Sequence, residues 1–208
     1  MTQSQLQEQL RSLRLGHFAQ ALQQQQSQAT TYDEMSFEER LGLLAQHEIH
    51  CRQDSKVKRL LRQATLRLEA HASRLEYRAE RGLRKDKVAT LLSGQYLHHA
   101  HNIIVTGATG CGKTYFACAL ARQACEQHHT VRYYRLGQLL DELNIGHADG
   151  SYRQQLAQLA KKKLLILDDW GMEKLSARQA NDLLDVMEER YQNTSTIIAS
   201  QLPVTEWY

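Results

Sequence analysis

Residues 107–114, which read GATGCGKT, constrain the fold of this 208-residue chain more than any other segment. They match the pattern G-x-x-x-x-G-K-[ST], in which glycines let a loop turn so that successive backbone amides point at phosphate oxygens. A β-branched run at 102–106 precedes the loop, and a helical pattern at 113–127 follows it. The segment therefore predicts a phosphate site between a buried strand and the positive end of a helix dipole.

The side chains of this loop predict ATP and Mg²⁺ as ligands. Lys113 supplies a positive charge for the β- and γ-phosphates, and the Thr114 hydroxyl is a ligand for Mg²⁺. The predicted nucleotide contacts cover the whole loop and one residue beyond it: Gly107, Ala108, Thr109, Gly110, Cys111, Gly112, Lys113, Thr114 and Tyr115.

Two acids follow the apolar run at 164–167, which is typical of a strand buried in a parallel sheet. They stand at its carboxyl end, where open α/β sheets bind ligands. Asp168 is predicted to hold Mg²⁺, directly or through water, and Asp169 to polarise the attacking water. The alternative is that both acids are solvated turn residues ahead of Gly171.

The last apolar run, residues 196–200, ends in Ser200, and Gln201 follows it. A polar side chain at the tip of a neighbouring strand would lie near the two acids and sense the γ-phosphate. A capping or turn role for either residue fits the sequence equally well.

Strand patterns alternate with helical patterns in the second half of the chain, which predicts an α/β fold with a parallel sheet. The predicted strands are 102–106, 131–135, 164–169 and 196–200, and the predicted helices are 113–127, 136–143, 152–160 and 177–192, with a turn at 146–151. The first 95 residues show only helical patterns: an amphipathic helix at 4–27, a break at 30–33, and a helix opened by a capping box at 36–39. We therefore predict a helical domain at 1–95 and an ATP-binding core at 96–208.

Charge is distributed unevenly along the chain. The net charge is +3 overall, yet residues 52–87 contain twelve lysines and arginines against five acids, a net +7. Such a segment predicts a polyanionic partner. Five basic residues at helical spacing are the predicted contacts to DNA phosphates: Arg52, Lys56, Lys58, Arg59 and Arg62. The alternative is that they form a solvated helix face.

Apolar runs are too short for a membrane span, which needs about 18 residues. The N-terminus lacks the apolar region of a signal peptide. The four cysteines form no CxxC pair, and Cys118 and Cys125 are predicted to be small core residues. These features predict a cytoplasmic protein with no membrane partner.

Five stretches together carry a resemblance to a known family: residues 36–44 (SFEERLGLL), 77–83 (YRAERGL), 102–114, 164–171 and 195–203. On these the chain resembles the IstB-like helper ATPases of bacterial insertion sequences, relatives of the DnaC helicase loaders within the AAA+ class. The resemblance implies an all-helical N-terminal domain that engages DNA and a transposase, followed by an AAA+ core. It also implies a homo-oligomer that assembles with ATP on double-stranded DNA and stimulates the transposase of the same element.

Site roles also follow from the resemblance. It places Lys113 and Thr114 on nucleotide and Mg²⁺, makes Asp168 and Asp169 the acidic pair, and makes Gln201 the sensor. Many AAA+ proteins have glutamate where Asp169 stands. Family members continue past the position of Tyr208 into a segment with a trans-acting arginine and a helical lid, so the core is expected to be C-terminally incomplete.

Other functions stay open at this point. A DnaC-like helicase loader would use the same basic helices, although the stretch at 77–83 favours transposition. An ATP-binding DNA-interaction module without hydrolysis would fit an incomplete core. A small-molecule P-loop kinase would explain neither the basic segment nor the helical prefix.

Overall fold

The structure, a computed structural model, describes residues 2–77 and 82–207. The chain forms two compact units, one ending at Lys58 and the other starting at Arg59. The division between the compact units thus lies before the predicted domain boundary at 95/96. Leu60, Val88 and Leu97 are buried in the same apolar core as the helix after the glycine loop. A DNA- and partner-binding domain over 1–95 stays a prediction. The resembling stretch at 77–83 lies partly outside the described residues.

The first unit is helical. Its elements are α1 (Gln3–Ser12), α2 (Gly16–Ser27), α3 (Ala29–Tyr32) and most of α4 (Phe37–Ala64). The prediction of one helix over 4–27 is wrong, because Arg14 takes a left-handed conformation with φ 59°. The amide of Leu15 donates to the carbonyl of Leu10 at 2.8 Å, which closes α1 as a Schellman-type cap does. The predicted break at 30–33 is also wrong in part, since α3 occupies most of it.

Helix α4 begins at the predicted capping box. The Ser36 amide donates to the Glu39 carboxylate at 2.7 Å, and the Glu39 amide donates to the Ser36 hydroxyl at 3.2 Å. Further along α4, the buried Glu48 carboxylate accepts from the Phe18 amide at 2.7 Å and from Arg52 at 2.6 Å. Arg52 therefore neutralises a buried acid of the first unit.

The second unit contains a four-stranded parallel sheet in the order β1-β4-β3-β2. The strands are β1 (Ile103–Thr106), β2 (Val131–Arg135), β3 (Leu164–Trp170) and β4 (Ser195–Ser200). The helices are α5 (Lys85–Leu92), α6 (Gln95–His98), α7 (Lys113–Glu126), α8 (Leu136–Asp149), α9 (Tyr152–Ala160) and α10 (Ala177–Arg190). Short 3-10 helices lie at Ala72–Arg74 and Val204–Glu206. The predicted α/β fold with a helical N-terminal region is confirmed.

Helix α8 is longer than predicted, and the turn expected from Gly146 is wrong. Gly146 is a buried residue inside α8. A Cβ at this position would lie 2.7 Å from the side-chain oxygen of Gln155 on α9. The glycine therefore leaves room for the Gln155 side chain and does not form a turn.

The two faces of β3 pack against different helices. Leu164 and Ile166 join a core that includes α7, whereas Leu165 and Leu167 join a core formed with α8, α9 and α10. Cys118 and Cys125 are fully buried on α7, as predicted for small core residues, and burial raises the pKa of the Cys125 thiol to about 12. Among the described helices none is both long and apolar enough to span a membrane.

The amino ends of β3 and β4 meet around Arg190, the last residue of α10. This arginine is 1% exposed. Its guanidinium donates to the carbonyls of Leu159, Lys162 and Ser195 and to the Thr196 hydroxyl, at 2.5 to 3.1 Å. A buried arginine with four hydrogen bonds to protein acceptors is a structural element of this edge.

Candidate nucleotide-binding site

The glycine loop joins the carboxyl end of β1 to the first turn of α7. Gly110 and Gly112 have φ of 79° and 92°, conformations that residues with a Cβ adopt only with strain. Gly112 stands directly before Lys113, the first residue of α7. The loop therefore ends where the amides of a helix N-terminus are free to bind an anion.

Lys113 reaches back over the loop. Its ammonium donates to the carbonyl oxygens of Gly107 at 2.6 Å and Ala108 at 2.8 Å, and it lies 3.9 Å from the Cys111 sulfur. Carbonyls are weaker partners for an ammonium than phosphate oxygens. The charge is thus held at the loop in contacts that an anionic ligand can replace.

Thr114 and Asp168, the two predicted Mg²⁺ ligands, are in direct contact. The Thr114 hydroxyl donates to one carboxylate oxygen of Asp168 at 2.7 Å, and the Tyr133 hydroxyl donates to the same oxygen at 2.7 Å. Asp168 is 2% exposed. Burial, followed by the bond to Asp168, raises the pKa of the Tyr133 hydroxyl, which stays a donor at neutral pH. The alternative of a solvated turn residue does not describe Asp168.

Asp169 lies at an irregularity between β3 and β4. Leu167 pairs with Ile198 and Trp170 with Ser200, so β3 contains one more residue than β4 between these pairs, as in a β-bulge. Asp169 has φ 59°, and its amide donates to the Asp168 carboxylate at 2.9 Å. Its own carboxylate accepts from Arg135 at 2.8 Å. The bulge therefore orients the two acids independently of each other.

Arg67 also faces the acidic pair, although the sequence predicted no role for it there. Its guanidinium nitrogen lies 3.6 Å from the Asp169 carboxylate and 3.9 Å from that of Asp168. Hydrogen bonding with Tyr133 is the main cause that holds the pKa of the guanidinium above its usual value. The sequence offered no signal beyond the basic character of the segment, because these partners are far apart along the chain.

The end of β4 completes the site. The Thr109 hydroxyl of the loop donates to the side-chain oxygen of Gln201. Ser200 takes the turn role instead, since its hydroxyl donates to the Trp170 carbonyl at 2.8 Å and accepts from the Leu202 amide at 3.0 Å. Ser200 therefore has turn contacts and Gln201 contacts the loop, while a sensor role for Gln201 stays a prediction.

One cavity of about 360 Å³ brings most of these groups together. Its lining includes Thr109, Gly110, Gly112, Lys113, Thr114, Tyr115, Asp168, Asp169, Gln201 and Arg67. The Tyr115 hydroxyl is engaged elsewhere, because it accepts from the His71 amide at 3.2 Å and donates to the His71 carbonyl at 3.3 Å. Tyr115 thus packs a neighbouring segment against α7 while lining the cavity.

The predicted DNA contacts differ in their availability. Arg52 is exposed but pairs with Glu48 and donates to the Arg14 carbonyl at 2.6 Å. Four others are exposed: Lys56 and Lys58 in the first unit, and Arg59 and Arg62 in the second. Over the described parts of the chain, no group of three His, Cys, Asp or Glu residues is arranged to hold a metal ion.

Comparisons with known proteins identify a family of ATP-binding proteins. The model of the family described as IstB-like ATP binding protein matches residues 8–208. A protein of insertion sequence IS1162 from Pseudomonas fluorescens, named as ATP-binding, is 46% identical over 204 residues, which are 98% of this chain and 87% of that protein.

Solved structures share the fold of more than half of the chain. AMPPCP-bound DnaA from Aquifex aeolicus aligns with a TM-score of 0.60 at 18% identity, over 66% of this chain and 43% of that one. The DnaC helicase loader aligns with a TM-score of 0.52 at 22% identity, over 57% of this chain and 68% of that one. At these identities the likeness shows the P-loop α/β fold alone.

Proposed function

Because the chain belongs to the family of IstB-like ATP-binding proteins, we propose that it hydrolyses ATP with Mg²⁺ and acts on DNA as the helper of an insertion-sequence transposase. One observation carries the enzymatic part of this proposal. The Thr114 hydroxyl and the buried Asp168 carboxylate share a 2.7 Å hydrogen bond in the cavity that Lys113 also lines. A P-loop NTPase needs a hydroxyl, a carboxylate and a lysine gathered in this way.

The side chains present fit both ligands. A hydroxyl and a carboxylate are the hard oxygen donors that Mg²⁺ prefers, and Thr114 and Asp168 would hold it between them. The ion supplies neutralisation of the charge on the β- and γ-phosphates. The loop amides and the Lys113 ammonium would bind the phosphate oxygens, for which Lys113 gives up its bonds to the carbonyls of Gly107 and Ala108.

Asp169 is the group that would act on water. Its carboxylate would leave Arg135, orient a water molecule toward the terminal phosphorus and accept a proton from it. The water oxygen would then bond to that phosphorus while the bond from the phosphorus to its bridging oxygen breaks, which gives ADP and inorganic phosphate. Gln201, bonded to Thr109 of the loop, would contact the terminal phosphate and report its loss.

Helix α4 is the proposed DNA contact. With Arg52 engaged by Glu48, the proposal rests on Lys56, Lys58, Arg59 and Arg62, which are exposed. Each phosphate neutralised contributes about −0.9 to the slope of log K against log salt. Three or four contacts give a slope of roughly −3 per protomer. Contacts to phosphates do not distinguish one DNA sequence from another. ATP tightens DNA binding if it drives assembly of a homo-oligomer.

A titration with duplex DNA at several salt concentrations tests this proposal. Changing Lys56, Lys58, Arg59 and Arg62 together to alanine should weaken binding and remove most of the salt slope. The matched control changes four exposed basic residues of other elements, Arg153, Lys161, Lys174 and Arg178, and alters the net charge equally. The control should keep the slope of the unsubstituted chain. Equal affinities and slopes in the unsubstituted chain and the α4 variant would show that this surface is only solvated.

A further inference from the structure

The residues between the end of α4 and the first 3-10 helix, here called the 65–71 segment, are fixed at both ends. Thr65 takes a left-handed conformation with φ 51°, and its hydroxyl lies 3.5 Å from the Tyr133 carbonyl of β2. At the other end, the Tyr115 hydroxyl of α7 bonds to both the amide and the carbonyl of His71. Ala70 is buried in the core. The segment is therefore a fixed platform beside the glycine loop.

Arg67 projects from this platform onto the open side of the acidic pair. Its side chain is 45% exposed, whereas that of Asp168 is 3% exposed. Its nitrogen is 3.6 and 3.9 Å from the two carboxylates, which is ion-pair distance but too long for a hydrogen bond. The guanidinium is thus attracted to the acids without a hydrogen bond to either carboxylate.

Arg135 makes a useful contrast, because it pairs with the same acid from the other side. It donates to Asp169 at 2.8 Å and lines a separate cleft of about 700 Å³. Arg67, and not Arg135, is among the residues that line the cavity of Lys113 and Thr114. Of these two arginines, only Arg67 shares a cavity with the phosphate-binding loop.

Charge balance decides what Arg67 does when the site is filled. The two carboxylates need cationic partners, and Arg67 and Arg135 supply them here. Once Thr114 and Asp168 hold a divalent cation, that need is met by the ion and Arg67 loses much of its attraction to the acids. The strongest anion left in its own cavity is then the phosphate chain, and a guanidinium fork matches phosphate oxygens well.

We propose that Arg67 binds the terminal phosphate of ATP from within the same chain, as a second cationic contact beside Lys113. The inference rests on the proposed nucleotide site and adds a substrate contact to it. It makes the 65–71 segment, which directly follows the basic helix α4, a part of the nucleotide site. Discrimination between ATP and ADP then depends on Arg67, because ADP lacks the group that it contacts.

Equilibrium binding of fluorescent ATP and ADP analogues, with Mg²⁺ and without DNA, tests the proposal. Arg67→Ala should weaken ATP binding by about tenfold, the size of one charge-assisted hydrogen bond, and change ADP binding less than about twofold. Arg67→Lys keeps the charge but not the fork, so it should fall in between. Arg74→Ala, at an exposed arginine of the adjacent 3-10 helix, is the matched control and should change neither affinity.

The outcomes separate this inference from the proposed function. Equal weakening of ATP and ADP by Arg67→Ala, or no weakening of either, would overturn the inference and leave the proposed ATPase untouched. A thermal unfolding curve for each variant shows whether a loss of nucleotide binding is caused by misfolding. If Arg67→Ala is misfolded, the ratio of ATP affinity to ADP affinity in Arg67→Lys decides. If the unsubstituted chain bound neither nucleotide, the proposed function would fail and the inference with it. Nucleotide binding without release of phosphate would contradict only the proposed hydrolysis of ATP.

Discussion

Charged side chains at the two edges of the parallel sheet have different kinds of partners. At the carboxyl edge, Lys113 bonds to loop carbonyls, and Asp169 is paired with exposed arginines. At the amino edge, the Arg190 guanidinium is enclosed by protein acceptors and 1% exposed. The first set of partners can be exchanged for a ligand, and the second cannot. A charged side chain therefore marks a binding site when its partners are replaceable, and a fold element when they are not.

Helix α10 runs from the carboxyl edge of the sheet to the amino edge. It begins near the carboxyl edge with a capping box, in which the Ser176 hydroxyl accepts from the Gln179 amide at 3.3 Å. It ends at the amino edge with Arg190. Burial lowers the pKa of Arg190 to about 10, which still leaves the side chain charged at neutral pH. Substitutions at the two edges should accordingly have separable effects on function and on stability.

The largest expected effect is on turnover, at the carboxyl edge. Asp169→Asn keeps the size of the side chain, and asparagine tolerates the left-handed backbone. It should lower ATP turnover by roughly 10²- to 10⁴-fold, because water loses the group that accepts its proton. Nucleotide affinity should stay within a few fold. Phosphate release with saturating ATP and duplex DNA measures the first, and equilibrium binding the second.

Unchanged turnover in Asp169→Asn would remove Asp169 from the proposed chemistry. If the unsubstituted chain binds ATP but releases no phosphate even with DNA, the alternative of an ATP-binding interaction module is favoured over an ATPase.

The second expected effect is on stability, at the amino edge. Arg190→Ala leaves three carbonyls and a hydroxyl without their donor, and only part of that cost is offset by removing a buried charge. We expect a loss of about 3 kcal/mol in the free energy of unfolding, or roughly 6–12 °C in Tm. Arg178→Ala, at an exposed position of the same helix, should stay within about 0.5 kcal/mol of the unsubstituted chain.

Nucleotide binding by the folded fraction of Arg190→Ala should be unchanged. A loss of ATP affinity without a loss of Tm would contradict the structural role of this arginine.

The third expected effect is on binding alone. Lys113→Ala removes the ammonium that the loop holds, so ATP affinity should fall by about 30-fold, or roughly 2 kcal/mol. The Tm should change little, because the lysine bonds to partly exposed groups of its own loop. Lys161→Ala, an exposed lysine after α9, is the control. An affinity for ATP equal to that of the control would exclude the loop as the phosphate site.

Much of the sheet could be predicted from the sequence, since buried strands are short apolar runs. The predicted strand at 131–135 matches β2, and β3, which contains the two acids, is one residue longer than predicted. The family predicted from the motifs is confirmed by the match over 8–208. The contact between Thr114 and Asp168 followed from parallel topology, because the carboxyl ends of the strands meet at one edge.

Other features could not be predicted, because they depend on contacts or conformations that local patterns do not record. Arg14 breaks the first helix without a glycine or proline at its own position. Gly146 is a typical turn residue, yet it lies inside α8 next to the Gln155 side chain of α9. Arg67 and Arg190 look alike as basic residues of polar segments, and only their distant partners separate a cavity residue from a core residue.

The left-handed backbone at Asp169 also limits which substitutions evolution can accept at this position. Aspartate and asparagine visit that conformation readily, whereas a glutamate there would carry a penalty of about 1 kcal/mol or more. A lineage of this protein that exchanged the shorter acid for the longer one found in many AAA+ proteins would also have to reshape the bulge between β3 and β4. The length of the acid and the geometry of the strand would therefore have to change together.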